Sequence, residues 1–238
     1  GQPLHAFDQD KIDGSKIYVR KSKSKEKILT LDGENRELPK DSIVIADKKS
    51  PIGLAGIMGG KSSEITSDTT NVFLEAANFN SSMIRSTSKK LGLSTEASMR
   101  FERNLDPKLA IYGLSRAADL IVELAGGKIN QKIQDNYLLK INDQKIILNK
   151  DKLRNHLGLD ISNNQIDQTL DNLNFHFTFD EINQIWEVEK PFWRTDIQIP
   201  EDIHEEIARI IGYDEIPLTY LSGSVPKWEP NKSLDIKY

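Results

Sequence analysis

The sequence predicts an α+β protein with two parts: a mixed, β-rich domain with flanking helices, then a small winged-helix-like α+β domain. The first 80 residues are mostly short runs rich in Ile, Val or Leu, separated by Gly, Asp, Asn and Pro, a pattern typical of short strands. Two later stretches repeat apolar residues every three or four positions, as amphipathic helices do. Near residue 141 the pattern changes to two short helices followed by paired strands.

Five strands are expected in the first part, each bounded by turn-forming residues. They cover residues 16–20, 27–31, 42–47, 53–58 and 71–77. A helical segment follows over 80–91, and a clearer helix over 107–125. Asp106 is a suitable N-cap, Pro107 fits the first helical position, and the glycines at 126 and 127 end the helix.

The second part is predicted to span residues 141–215. A short helix is expected over 151–157, and Ser162 with Gln165 forms a capping box that opens a second helix. Strands are predicted over 175–179 and 185–188, and a third helix over 200–211. The polar stretch 130–144 is predicted to hold one strand and then a linker, and the proline-containing residues 216–238 a second linker.

Composition excludes several classes of function. The chain has 238 residues, a net charge of −4 and 37% hydrophobic residues, which suits a globular protein better than a disordered one. The absence of cysteine excludes disulfides, thiolate zinc sites and cysteine nucleophiles. No apolar run approaches the roughly 18 residues of a membrane span. Neither a Gly-x-Ser-x-Gly elbow, nor a Walker loop, nor a His-Glu-x-x-His helix is present.

Three features of the first part are candidates for chemistry, and each has a simpler structural explanation. His5 is one of four histidines, and a lone histidine is more often structural than catalytic. The glycine-rich run 53–60 allows a ligand close to the backbone, but a tight turn explains it equally well. Glu75 lies in an apolar run, where a carboxylate is either costly to bury or on an exposed face.

Two charged clusters are also candidates. Lys89, Lys90, Arg100 and Arg103 form either a phosphate-contacting strip or a solvated surface. Four carboxylates near the last helix suit Mg²⁺ by their chemistry, or they complement the helix N-terminus and pair with neighbouring arginines. These four carboxylates are Asp196, Asp202, Glu205 and Glu206.

Taken in order along the chain, several blocks closely resemble the β subunit of bacterial phenylalanyl-tRNA synthetase. The blocks are residues 1–8, 54–60, 71–77, 91–98, 100–103, 194–196 and 205–213. The resemblance implies that residues 1–140 are an editing domain and 141–215 a small winged-helix-like domain, with 216–238 leading towards a catalytic-like domain. We therefore expect the chain to be an internal piece of a longer polypeptide.

The resemblance also implies roles for individual residues. Glu75 accepts the hydroxyl of a tyrosine wrongly attached to tRNA(Phe), and Gly59 lines the pocket. Thr95 and Ala97 form its wall, with Thr95 counted beside His5 and Glu75 in the catalytic set. His5 lies near the terminal adenosine and the scissile ester, and a positioned water hydrolyses that ester.

Cofactors and partners follow from the same resemblance. Asp196, Asp202, Glu205 and Glu206 are expected to hold Mg²⁺ at a site shared with the α subunit, and ATP acts only in the complete enzyme. The expected partners are the α subunit in an α2β2 heterotetramer, tRNA(Phe) and tyrosine, in the cytoplasm and without a membrane. The family usually has Gly at the position of Asn104, and Asn tolerates a left-handed backbone better than most residues.

Two alternatives stay open. The domains could be a non-catalytic scaffold that braces the α subunit and positions tRNA. Residues 145–215 could instead bind nucleic acid, although the helix over 200–211 carries four carboxylates against the single Arg209 and would repel phosphate.

Overall fold

The computed structural model describes residues 1–130, 133–137, 145–218 and 223. The chain divides into two compact units, here called the first and second unit. The first comprises residues 1–144 and 190–197, and the second comprises 145–189 and 198–238. Residues 138–144 and 224–238, which hold most of the two predicted linkers, lie outside the described residues.

The described residues of the first unit form eight short strands, all paired antiparallel. They are β1 (Leu4–Asp8), β2 (Tyr18–Lys21), β3 (Lys27–Leu29), β4 (Asn35–Glu37), β5 (Ile43–Ala46), β6 (Pro51–Leu54), β7 (Met58–Gly59) and β8 (Val72–Ala76). A four-stranded sheet has the order β2-β5-β6-β7, while β1 pairs with β8 and β3 with β4. The predicted α+β class is confirmed.

The predicted strand over 53–58 is wrong as a single strand, because a turn at residues 55–57 separates β6 from β7. Gly56 has φ +65°, a left-handed conformation that favours glycine. A Cβ atom there would lie 3.0 Å from both Phe79 and Phe101, so the site has little room for one. This turn brings the end of β6 and the start of β7 against the aromatic side chains of the core.

Among its described residues the first unit also has three α-helices: α1 (Ser81–Leu91), α2 (Glu96–Phe101) and α3 (Leu109–Ala125). Helix α3 begins two residues later than predicted, because the Asp106 carboxylate accepts the Lys108 N–H at 2.7 Å in a preceding turn. Asn104 has φ +63°, which confirms that this position is left-handed and that Asn fits it. No helix among the described residues is long and apolar enough to cross a membrane.

The core of the first unit lies between these sheets and helices. Phe7, Ile52, Leu54 and Ile84 are fully buried, and full burial of such a side chain stabilises the fold by roughly 1.5–3 kcal/mol. The rings of Phe79 and Phe101 pack edge to face at 5.1 Å. Strands β1, β7 and β8 and helix α2 are thereby held around one side of this core.

The second unit follows the predicted order of helix, helix and strand pair, with an additional strand at its start. Its elements are β9 (Ile146–Asn149), α4 (Lys150–Leu157), α5 (Asn163–Asn172), β10 (His176–Asp180), β11 (Ile185–Glu189) and α6 (Pro200–Ile211). Unpredicted β9 pairs with β11 and gives the sheet order β10-β11-β9. The capping box of Ser162 and Gln165 is confirmed. The buried Trp186 indole donates a hydrogen bond to Asp167 at 2.7 Å.

Candidate functional site

A cavity of about 70 Å³ opens in the first unit, where β1, the β6–β7 turn, β8 and α2 meet. This volume exceeds the roughly 30 Å³ that a water molecule occupies in the liquid. The lining residues are Pro3, Leu4, His5, Ile45, Leu54, Gly56, Ile57, Met58, Gly59, Glu75, Phe79, Ala97 and Phe101. The cavity is therefore an apolar hollow into which two titratable side chains are placed.

His5 and Glu75 are brought together by strand pairing. They are direct partners in the antiparallel register of β1 and β8, and Phe7 opposite Phe73 is the next pair on the same face. Side chains of directly opposed residues lie about 5 Å apart at Cβ. A single cross-strand pair of β1 and β8 thus supplies both titratable side chains of the cavity.

The Glu75 carboxyl is buried and incompletely satisfied. Its Oε2 atom has no hydrogen-bond partner among the described residues, and burial raises the pKa of Glu75 to about 7. Near neutral pH the group is therefore present in both its protonated and its charged form. A buried polar group left unpaired costs about 1–3 kcal/mol, so a ligand hydroxyl at this atom would recover stabilisation.

The His5 imidazole is neutral at pH 7, because burial lowers its pKa below the ordinary value of 6.5. Its ring packs edge-on against the ring of Phe7, with centroids 4.4 Å apart. A neutral imidazole has one donor and one acceptor nitrogen, so it can both orient a water molecule and accept a proton from it.

Thr95 is the N-cap residue of helix α2. It is not among the described residues that line the cavity. Its hydroxyl donates to the carbonyl of Ile57 at 2.8 Å and accepts the N–H of Ser98 at 3.1 Å. Thr95 therefore caps helix α2 and ties it to the β6–β7 turn, which fixes Ala97 at the cavity wall. A Thr-x-x-Ser spacing before a helix is the sequence signal for that role.

Sequence reasoning missed most of the apolar wall. Leu4, Met58, Phe79 and Phe101 line the cavity, yet no motif distinguishes them from ordinary core residues. Only the folded arrangement shows that these side chains leave a gap beside Glu75.

Two of the predicted Mg²⁺ donors on α6, Asp202 and Glu206, make local contacts. The Asp202 carboxylate accepts the backbone N–H groups of Gln198 and Ile199 at 2.7 and 2.9 Å, as a helix N-terminal acid does. Glu206 forms an ion pair with Arg209 at 2.6 Å.

Asp196 is paired with Arg194 at 2.6 Å and belongs to the first unit, whereas Asp202, Glu205 and Glu206 belong to the second. Within the described parts of the chain, no three His, Asp or Glu side chains are grouped so that they could hold a metal ion. Mg²⁺ binding by these four carboxylates stays a prediction.

Comparison with known proteins covers both units. Residues 1–126 match the family model of the B3/4 domain, and residues 146–213 match the tRNA synthetase B5 domain. The phenylalanine–tRNA ligase beta subunit of Carboxydothermus hydrogenoformans is 44% identical over 94% of this chain. That of Halalkalibacterium halodurans is 40% identical over 95% of it.

The chain spans about 28% of the length of these curated relatives. An N-terminal fragment of the phenylalanyl-tRNA synthetase beta subunit from Pyrococcus horikoshii aligns with a TM-score of 0.48 and 17% identity, over 89% of this chain and 59% of that one. The chain therefore belongs to the B3/4 domain family, continues into a tRNA synthetase B5 domain, and is homologous over nearly its whole length to a part of phenylalanine–tRNA ligase beta subunits.

Proposed function

We propose that the cavity of the first unit is a proofreading site that hydrolyses tyrosyl-tRNA(Phe), within a ligase that attaches phenylalanine to tRNA(Phe) at the expense of ATP. Family membership supports the setting, and the chemistry of the cavity supports the reaction. In this proposal aminoacylation takes place outside the chain, with an α subunit as partner.

The buried, unpartnered Oε2 atom of Glu75 is the observation that carries the proposal. Phenylalanine and tyrosine differ by one hydroxyl. An apolar pocket that selects the amino acid for attachment to tRNA discriminates against a substrate with an added hydroxyl by only about a hundredfold. A second site that hydrogen-bonds the phenol has the opposite preference, because phenylalanine leaves its polar group unpaired. At a pKa of about 7, Glu75 can accept a hydrogen bond from the phenol when charged or donate one to it when protonated.

Hydrolysis in this site uses water rather than a covalent intermediate. No Ser, Thr, Lys or Cys lines the cavity in the described part of the chain. The water oxygen attacks the ester carbonyl carbon, and the neutral His5 imidazole orients that water and takes its proton. The ester bond then breaks, and the His5 imidazolium returns the proton to the leaving ribose oxygen. The products are free tyrosine and uncharged tRNA.

Helix α2 connects the cavity to an exposed basic surface. Ala97 lines the cavity from the helix that also carries the exposed Arg100, and Arg103 follows directly. Lys89 and Lys90 are exposed at the end of α1. Arg100 is ion-paired with Glu96 at 3.1 Å, so Lys89, Lys90 and Arg103 are the candidates for contact with tRNA phosphates.

Deacylation of tyrosyl-tRNA(Phe) by the assembled αβ ligase tests the proposal. We expect Glu75→Ala to lower the rate at least tenfold and Glu75→Gln to lower it less, while aminoacylation with phenylalanine is unchanged. Glu34→Gln, at an exposed carboxylate of the same unit, is the matched control and should edit normally. Unchanged editing in both Glu75 variants would refute the site and favour the scaffold alternative.

A further inference from the structure

We propose that Gly59 is a positioning residue for His5: the missing side chain at position 59 provides the space in which the imidazole lies at the cavity wall. The hydrolytic consequence rests on the proposed function, whereas the placement of the ring is independent of it. This role differs from the one implied by family resemblance, in which Gly59 only leaves room for the bound amino acid.

Backbone conformation does not require glycine at position 59. Gly59 lies on β7, paired with Gly53 on β6, and it is not one of the described residues with positive φ. Any L-residue can adopt its backbone angles. The reason for glycine must therefore be the space around its Cα atom.

That space is filled by His5. A Cβ atom built at Gly59 would lie 2.5 Å from His5 Nε2 and closer still to Cε1, distances that real Cβ atoms essentially never show. The next neighbour is Leu31 Cδ1 at 3.1 Å, which must give by a few tenths of an ångström. Since the clash is with the end of a side chain and not with backbone, the imidazole would move and the sheet would stay.

Two neighbouring glycines show that the reason is specific to position 59. At Gly60 the added Cβ would lie 2.6 Å from the backbone oxygen of Ile52, so glycine is needed there for strand packing. At Gly53 the nearest atoms are Ile45 and Phe7 carbons at 3.7–3.8 Å, which is ordinary contact. Gly53→Ala is therefore a matched control in the same sheet, on the residue paired with Gly59.

The titration of His5, followed by NMR in the full chain, reads the placement of the ring directly. Burial holds the pKa of His5 below 6.5. We expect Gly59→Ala to change the His5 ring chemical shifts and to raise its titration midpoint towards 6.5, because the displaced ring gains solvent. Gly53→Ala should leave both unchanged. A folded Gly59→Ala variant with wild-type His5 shifts and titration would overturn the proposal.

A double-variant cycle covers the case in which Gly59→Ala does not fold. Removing the imidazole removes the clash, so His5→Ala/Gly59→Ala should fold with the melting temperature of His5→Ala. If the double variant also fails to fold, the clash is not with His5 and the proposal is wrong.

Hydrolysis of tyrosyl-tRNA(Phe) by the assembled ligase gives the functional arm of the same cycle. Gly59→Ala should lower the rate about as much as His5→Ala, up to about a hundredfold for a displaced catalytic group, and the double variant should lose nothing more. An equal further loss in the His5→Ala background would show a direct block of the ligand and would overturn the proposal. If the wild-type ligase has no editing activity, the proposed function is wrong. The placement of the His5 ring by Gly59 would still be tested by the NMR titration, which does not depend on editing.

Discussion

In each unit two titratable side chains are brought together by the fold: His5 and Glu75 in the first, and His156 and His204 in the second. The two pairs differ in their surroundings. In the first unit, His5 and Glu75 face a cavity, and a carboxyl oxygen has no partner in the described structure. In the second unit, the Nδ1 atoms of His156 and His204 lie 2.8 Å apart, and neither residue lines the cavity described above.

The two pairs differ in whether a cavity lies beside them. His204 is buried and its Nδ1 atom is hydrogen-bonded to exposed His156, whereas its Nε2 atom, like Glu75 Oε2, is buried without a hydrogen-bond partner in the described structure. Glu75 lines a cavity, so a bound molecule has room to reach its buried Oε2 atom, and His204 does not line that cavity. Burial and a shifted pKa occur in both units, and the cavity is what distinguishes them.

Filling the cavity should have the largest effect on function. Ala97→Trp places an indole in the hollow, and we expect hydrolysis of tyrosyl-tRNA(Phe) to fall on the order of a thousandfold, equivalent to about 4 kcal/mol. The assembled ligase should still charge tRNA with phenylalanine. Met99→Trp on the same helix, at an exposed side chain that does not line the cavity, is the control and should edit normally.

The pH dependence of stability should differ between wild type and Glu75→Gln. The folded-state pKa of Glu75, about 7, lies above its unfolded value near 4.5, so ionisation destabilises the folded state as pH rises through this window. Glu75→Gln should gain up to roughly 3 kcal/mol at pH 8 and nothing below pH 4.5. Urea unfolding at several pH values measures this. A constant difference from pH 4 to pH 8 would contradict the burial of the carboxyl.

Disrupting the histidine pair should affect stability and not editing. His156→Ala removes the partner of the His204 Nδ1 atom, and we expect the second unit to lose about 1 kcal/mol of unfolding free energy at pH 7. Asn155→Ala, at an exposed neighbour on α4, is the control. The buried Trp186 reports unfolding of this unit by fluorescence. A loss of tyrosyl-tRNA(Phe) hydrolysis in His156→Ala would remove the contrast between the two pairs.

The smallest expected effect is the acid sensitivity of the second unit. Burial, and secondarily the charge of His156, lowers the pKa of His204 below 6.5. The unfolded chain therefore takes up a proton first, and stability should fall as pH drops from about 6.5 through the folded-state pKa. His204→Phe should make Trp186-detected stability less dependent on pH in that range. An identical pH dependence in the variant would show that His204 does not contribute.

Elements with local signals were predictable from sequence. The capping box at Ser162 and the proline-opened, glycine-ended helix α6 depend on residues a few positions apart, and both are found where predicted. Strand β1 was not predicted, because its segment resembles a turn and its partner β8 lies about 70 residues away. That long-range pairing is what places His5 opposite Glu75.

Only the site residues that lie in motifs resembling the synthetase family were predictable from the sequence. His5, Gly59, Glu75 and Ala97 all line one cavity, while Thr95 serves as a helix cap beside it. The steric relation between Gly59 and His5 depends on two strands that are not neighbours in sequence, so no spacing rule reveals it.

A crystal structure of the chain with bound tyrosine tests the account most directly. We expect the ring in the hollow between Gly59 and Ala97, with its phenol oxygen within hydrogen-bond distance of the Glu75 carboxyl, and no comparable density with phenylalanine. Tyrosine bound elsewhere, or phenylalanine bound equally well in the same place, would contradict it.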